Sequence, residues 1–241
     1  QLIQIFSSQK HKLIHALSKM RKLSPNEHWS GEADIQSLQG EKYAVNIGIT
    51  AVSNPRNESE ISRYLVILSD ITKQKDAQGA LVKMANYDSL TGLPNRSLLL
   101  DRIQHAFDQA KRDKTSICLF FIDLDRFKQI NDSYGHDGGD LVLEVFSDLM
   151  KHHLNKGDLC CRLGGEEFLL LFFAIDINSA TQFSEGLRKT IEGSQIAYQE
   201  HRISVTASFG LTSWQPNDSF ESLVNRADKA VYEAKDNGRN Q

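Results

Sequence analysis

Arg162-Leu163-Gly164-Gly165-Glu166-Glu167-Phe168 lies between two apolar runs, Leu159 to Leu163 and Phe168 to Phe173. It reads as a β-hairpin whose tight turn is Gly164-Gly165. A bend that needs φ > 0 accounts for the glycines, and a backbone bare of side chains also lets a ligand come close. Folding alone does not account for Glu166 and Glu167, adjacent acids where neutral turn formers would serve. Before the hairpin, Ile117 to Ile122 is a continuous apolar run, as in a central strand covered on both faces, and it ends in Asp123-Leu124-Asp125. Gly139 to Leu154 carries Leu143, Phe146, Leu149 and Met150 at helical spacing. The turn-rich Asp88 to Arg96 precedes a helix with Leu99, Ile103, Phe107 and Ala110 on one face. After the hairpin, Ser179 to Ile191 reads as a helix and Ile203 to Leu211 as an alternating strand. Leu223 to Ala234 is a helix stopped by Gly238.

The order from Asp88 onward is therefore αβαββαβα. It contains the split βαβ arrangement of ferredoxin-like folds, an α+β class in which helices surround an antiparallel, palm-type sheet. The strand ending at Asp123 then lies beside the hairpin, with the carboxylates of Asp123 and Glu166 facing each other at one end of the sheet. Two carboxylates held together repel unless something positive sits between them. Hard oxygen donors suit Mg²⁺, which takes one or two carboxylates and completes its shell with water and substrate phosphates. Such ions stabilise attacking and leaving oxygens in phosphoryl or nucleotidyl transfer. Taken singly, Asp123 reads equally well as a turn cap and the glutamates as solvated side chains; taken together they read better as an ion site.

The chain has 241 residues, 40% hydrophobic and 24% charged, with a net charge of −3. That balance is ordinary for a globular protein and gives no bulk-charge reason to bind nucleic acid or an anionic membrane. Phosphate contacts must be local. The three cysteines, Cys118, Cys160 and Cys161, form neither a disulfide framework nor the spaced pairs of a zinc site, which points to a reducing, cytoplasmic setting. No apolar run is long enough to cross a bilayer and no signal-peptide pattern is present, so no membrane contact is expected within these residues. The first residue is Gln1, which reads as a piece of a longer protein with room for a membrane anchor upstream.

The first third is organised differently. Leu13, Ile14, Leu17, Met20 and Leu23 recur at helical spacing up to Pro25. Lys42 to Val52 alternates, with Tyr43, Val45, Ile47 and Ile49 on one face, and Tyr64 to Leu68 is a second strand beyond the polar loop Asn54 to Glu60. The succession of helix, Trp29-Ser30-Gly31-Glu32, strand, Gln39-Gly40-Glu41, strand, polar loop, strand and Asp70-Ile71-Thr72 resembles the C-terminal half of a PAS sensor domain. Asp70 is placed there to cap the next helix. An ordinary small α+β support domain accounts for the same residues. The implied organisation is a partial PAS-like segment over 1–70, an exposed connecting helix over 71–87, and the α+β domain over 88–241.

Five separated motifs carry a more specific likeness. They are Asp88-x-Leu90-Thr91-x-Leu93-x-Asn95-Arg96, Phe121-x-Asp123-x-Asp125-x-Phe127-Lys128-x-x-Asn131-Asp132, Gly135-His136-x-x-Gly139-Asp140, Arg162-x-Gly164-Gly165-Glu166-Glu167-Phe168, and Ala234-Lys235-x-x-Gly238-Arg239-Asn240. In order and spacing they resemble a GGDEF-type diguanylate cyclase with Glu at the third motif position. The resemblance implies that Asp123, the carbonyl of Leu124 and Glu166 hold Mg²⁺ (or Mn²⁺), with Glu167 assisting. It implies that Asn131 and Asp140 read guanine, and that Lys128, Lys235 and Arg239 meet the terminal phosphates with backbone N–H groups of the Arg126 to Lys128 turn. Phe127, Gly164 and Gly165 would also lie against substrate. The implied reaction joins two GTP molecules into cyclic di-GMP in a homodimer, with Glu166, Asp123 and Lys128 as catalytic groups. A silent GTP-binding or dimerisation module regulating a partner domain is the alternative. Many members carry an Arg-x-x-Asp product-binding site before the hairpin. Here the matching stretch is Asn155-Lys156-Gly157-Asp158, and neutral Asn155 cannot replace a guanidinium, so weak product inhibition is expected.

Overall fold

The computed structural model describes Ser18 and residues 22–37, 39–155 and 157–241. The helix read between Gln1 and Leu23 lies largely outside the described residues. The chain divides into two compact units, Gln1–Val82 and Lys83–Gln241.

In the first unit, β1 (His28–Gln36), β2 (Lys42–Asn54) and β3 (Asn57–Asp70) form an antiparallel sheet in that order. The alternation in β2 is real: Val45, Ile47 and Ile49 are buried with Ala33 of β1, and Trp29, Tyr43 and Val66 pack against them. The polar loop expected at Asn54 to Glu60 is mostly strand, because β3 starts at Asn57 and pairs back onto β2 through a bulge near Ser53. Its polar residues are exposed, so backbone pairing extends the hairpin where no apolar alternation marks it. Helix α1 (Thr72–Asn86) follows, and the Asp70 carboxylate accepts the Thr72 N–H at 2.8 Å as its sequence position implied.

The second unit runs α2 (Arg96–Asp113), β4 (Ile117–Leu124), α3 (Phe127–His153), β5 (Leu159–Gly164), β6 (Glu167–Phe173), α4 (Ile177–Gly193), β7 (Ile196–Tyr198), β8 (His201–Ile203), β9 (Ala207–Ser213) and α5 (Phe220–Asp236). The main sheet has the order β5-β6-β4-β9, with every neighbouring pair antiparallel. This is the ferredoxin-like arrangement expected from the element order. All of β4 is buried. Phe120, Ile122 and Leu124 face one way with Phe168 and Leu170 and pack on α3 and α4; Leu119 and Phe121 face the other way with Leu169 and Leu171 and pack on α2 and α5. Complete burial of a side chain the size of Phe120 stabilises by about 2–3 kcal/mol. Asn95, Asp176 and Ser219 cap α2, α4 and α5 with side-chain oxygens that accept backbone N–H bonds.

Two differences from the sequence reading matter for the site. The strand read as Ile203 to Leu211 is split into β8, which pairs with β7, and β9, which pairs with β4. Residues between them turn inward to meet Asp125, whose N–H donates to the Thr206 carbonyl at 2.8 Å. Helix α3 also starts earlier than Gly139, at Phe127, and is broken at Gly135, where φ is +75° and ψ 174°. A glycine is the residue that tolerates such a break.

Candidate active site

The centre of the sheet delivers β4 to a sharp exit. Asp123, at 6% exposure, is followed by Leu124, buried Asp125 and Arg126, and Arg126 turns left-handed at φ +56° to start α3 at Phe127. No side chain caps α3 there; in its first turn the Gln129 N–H donates to the Arg126 carbonyl at 2.8 Å.

The hairpin tip stands alongside. Its turn is displaced by one residue from the Gly164-Gly165 reading: Gly164 pairs with Glu167 across a bulge, and Gly165-Glu166 form the two-residue loop. Positive φ at Gly165 (+53°), with Glu166 absent from the positive-φ residues, is the signature of a type II′ turn. In register Asp123 therefore faces Glu167, not Glu166. Glu166 sits at the corner of the turn, and its carbonyl accepts the Leu124 N–H at 3.2 Å, which ties the tip to the strand end. Arg162 tightens the same tip. Its Nε and Nη2 donate to the Gly165 carbonyl at 3.0 and 2.8 Å, while Nη1 meets Asp88 Oδ1 at 2.9 Å. Burial raises the Asp88 pKa, but bonds from Thr91 and Arg162 outweigh it and hold the carboxyl below its usual value.

Asp123, Leu124, Phe127, Lys128, Glu166, Lys235 and Arg239 line one cavity of about 480 Å³, joined by Arg126, Gln129 and Asp132. Lys235 of α5 reaches Asp123 Oδ2 with Nζ at 2.7 Å. Burial pushes the Asp123 carboxyl up; Lys235 opposes this, and Glu166 and Asp125 add to it. Glu167 is also raised, first by burial and then by Asp123, Asp228 and Glu166. Asp123, Glu166 and Glu167 thus repel one another at this corner, and Lys235 offsets part of that repulsion. Among the described residues no three His, Cys, Asp or Glu side chains converge as a self-sufficient metal cage. Two carboxylates, a backbone carbonyl and an open cavity do fit Mg²⁺, which takes its remaining oxygens from water and phosphate.

Other expected residues fall outside that lining. Gly164 and Gly165 form the tip, and Glu167 lies on β6 opposite Asp123. Asn131 and Asp140 are on α3 either side of the Gly135 break. A Cβ on Gly139 would lie 1.9 Å from Asn131 Oδ1, so the glycine beside Asp140 leaves the space that Asn131 occupies. In the stretch Asn155 to Asp158, Asp158 Oδ2 accepts the Asn155 N–H at 3.0 Å and serves a local turn. Reasoning from sequence gave no role to Asp88, Asp125, Arg162 or Asn240. Their signal was present, since each stands in one of the five motifs, but their work is done through partners distant in the chain.

A family model described as "Diguanylate cyclase, GGDEF domain" matches residues 85–241. The chain belongs to the GGDEF domain family. The bifunctional diguanylate cyclase/cyclic di-GMP phosphodiesterase MucR of Pseudomonas aeruginosa is 41% identical over 193 residues, 80% of this chain and 27% of that protein. Diguanylate cyclase DgcP of the same organism is 38% identical over 152 residues, 63% of this chain and 23% of its own. The chain thus spans about a quarter of the length of these two relatives. Among solved structures, the coiled coil and GGDEF domain of DgcB from Caulobacter crescentus, in complex with c-di-GMP, superposes with a TM-score of 0.66. It has 27% identity and covers 71% of this chain and 91% of that one. The GGDEF domain of this chain thus has the α+β architecture of solved GGDEF structures. Among the described residues no helix is long and apolar enough to cross a membrane.

Proposed function

We propose that residues 88–241, a GGDEF domain with Glu at the third motif position, condense two GTP molecules into cyclic di-GMP and two pyrophosphates. The observation that carries this reading is the convergence of Asp123, Glu166, Lys128, Lys235 and Arg239 on one cavity. Lys128, Lys235 and Arg239 hold the terminal phosphates through charge-assisted bonds. Asn131 and Asp140 read the base: an amide and a carboxylate together match the acceptor and donor edge of guanine and leave adenine poorly satisfied. Phe127 and the bare backbone of Gly164 and Gly165 let the nucleotide lie close to the tip. Asp123, the Leu124 carbonyl and Glu166, assisted by Glu167, would hold Mg²⁺ or Mn²⁺, which when bound supplies positive charge to the attacking and leaving oxygens.

In the reaction the 3′-oxygen of one GTP bonds to the α-phosphorus of the other, and the bond from that phosphorus to the bridging oxygen breaks as pyrophosphate leaves. Glu166, at the turn corner, takes the 3′-proton. The same exchange in the opposite sense closes the ring. One domain holds one GTP, so turnover needs two copies facing each other, and their approach is a problem of proximity. Residues 1–70 are the C-terminal half of a PAS-like sensor, with 71–87 the helix through which it regulates the dimer. The three-stranded sheet and the Asp70 cap support that reading.

Incubation of the chain with GTP and Mg²⁺, with products identified by mass, tests the proposal. Cyclic di-GMP and pyrophosphate should form, and added cyclic di-GMP should leave the rate nearly unchanged because Asn155 supplies no guanidinium. Glu166→Gln should lower the rate by about a thousandfold with the fold intact by circular dichroism. Retained turnover in that variant would overturn the role given to Glu166. GTP binding without product at any protein concentration would favour the silent regulatory module.

A further inference from the structure

The last three residues of the fifth motif adopt an unusual backbone. Gly238, Arg239 and Asn240 are consecutive left-handed residues, with φ of +116°, +69° and +53°. Non-glycine residues in this region persist only where surrounding contacts hold them. The Arg239 N–H closes the end of α5 on the Ala234 carbonyl at 2.9 Å, and the side-chain contacts beyond it converge on Asn240. Its N–H donates to buried Asp125 Oδ2 at 3.1 Å, its Oδ1 accepts from Arg188 Nη1 at 2.9 Å, and its Nδ2 donates to Glu192 Oε1 at 2.8 Å. Asp125 is itself fixed by the hydroxyls of Thr206 and Ser208, each at 2.7 Å. One asparagine therefore joins the exit of β4, helix α4 and the chain after α5. The residue before it, Arg239, lines the cavity with Lys128 and Lys235.

We infer that Asn240 is a positioning residue: clasped by Asp125, Arg188 and Glu192, it locks the left-handed turn that points Arg239 at the terminal phosphates of the nucleotide. The inference rests on the GTP reading of the cavity. It also assigns Asp125 a different task from Asp123 two residues earlier, since Asp125 has its oxygens committed to the clasp.

The test is a double-mutant cycle on nucleotide binding, with GTP and GMP titrated by calorimetry against the wild-type chain, Asn240→Ala, Arg239→Ala and the double variant. Asn240→Ala should weaken GTP by roughly tenfold, the scale of one charge-assisted contact, and leave GMP unchanged. In the Arg239→Ala background the same change should cost nothing further, because the effect of Asn240 passes through Arg239. Thermal melts accompany each titration. If Asn240→Ala does not fold, Arg188→Ala, which removes the bond to the side-chain amide oxygen together with the Arg188 pairs to Glu185 and Glu192, is carried through the same cycle with the same expected pattern. Equal losses for GTP and GMP, additive losses in the double variant, or no loss at all would each overturn the inference. No GTP binding by the wild-type chain would overturn the nucleotide reading and this inference together, whereas loss in Arg239→Ala without loss in Asn240→Ala overturns this inference alone.

Discussion

Glu167 faces Asp123 across the β4–β6 ladder, in a corner where burial raises both carboxyls and Lys235 opposes the rise. In the unfolded chain both titrate in the ordinary range; in the folded chain they keep their protons to higher pH. Between those two values the folded state binds more protons, so stability falls as pH rises through the window, and above it the full penalty remains. Glu167→Gln is therefore expected to raise the melting temperature at neutral pH, and the gain should vanish below the carboxylate range. The rise will be on the order of 1–2 °C, because Glu167 is partly solvated. Melts at neutral and acid pH check this, and a neutral-pH loss of stability would show that the charge is favourable where it stands. The acids of the hairpin were legible in the sequence because they had no folding reason to be there. Asp88 and Arg162 were legible only as motif letters, since a guanidinium that bridges a carboxylate and the Gly165 carbonyl declares itself only in space.

The elements were legible wherever one apolar period governed them. The faces of α2 and β2 and the double burial of β4 follow from spacing alone. The boundaries that differed lie where hydrogen bonding and not burial sets the backbone: the turn at Gly165-Glu166, the β8–β9 split drawn inward by Asp125, and α3 starting at Phe127. Gly210 in β9 had no visible reason in sequence. A Cβ there would stand 1.9 Å from the Ala227 carbonyl oxygen and 2.8 Å from the Val231 nitrogen, both backbone atoms of α5. Helix α5 lies directly on that strand, and backbone cannot yield as a side chain tip can. Gly210→Ala should destabilise the GGDEF domain by about 2–3 kcal/mol. A shift of the urea midpoint will measure the loss, and since α5 carries Lys235, GTP affinity should fall with it. An unchanged midpoint would mean that the helix can lift away from the strand without loss.

For the molecule as a whole, the proposed chemistry makes one chain half a catalyst. Helix α1 exposes Leu81 at 67%, Val82 at 52% and Met84 at 76%, apolar side chains on either side of Lys83 that a second copy could cover. Specific activity should therefore rise with protein concentration and then level off. Leu81→Asp together with Met84→Asp should move that curve to higher concentration by tenfold or so, the effect of about 1.4 kcal/mol of lost association, without changing GTP affinity. Sedimentation and rate measured over the same concentrations will decide it; a rate strictly proportional to concentration, with the chain monomeric throughout, would exclude the dimer.

The sequence by itself determined the α+β class, the split βαβ order and the family, and it singled out Asp123, Lys128, Glu166, Lys235 and Arg239 among the residues that meet in the cavity, because periodicity and motif spacing are local and survive without coordinates. Only the tertiary structure decided which acid faces Asp123, that Asp125 is committed to the chain end, and that Arg239 stands on a strained turn held by Asn240. Those facts depend on strand register and on bonds between residues as far apart as Asp125 and Asn240. A one-residue shift of a turn changes the facing partner without leaving a mark on composition or period.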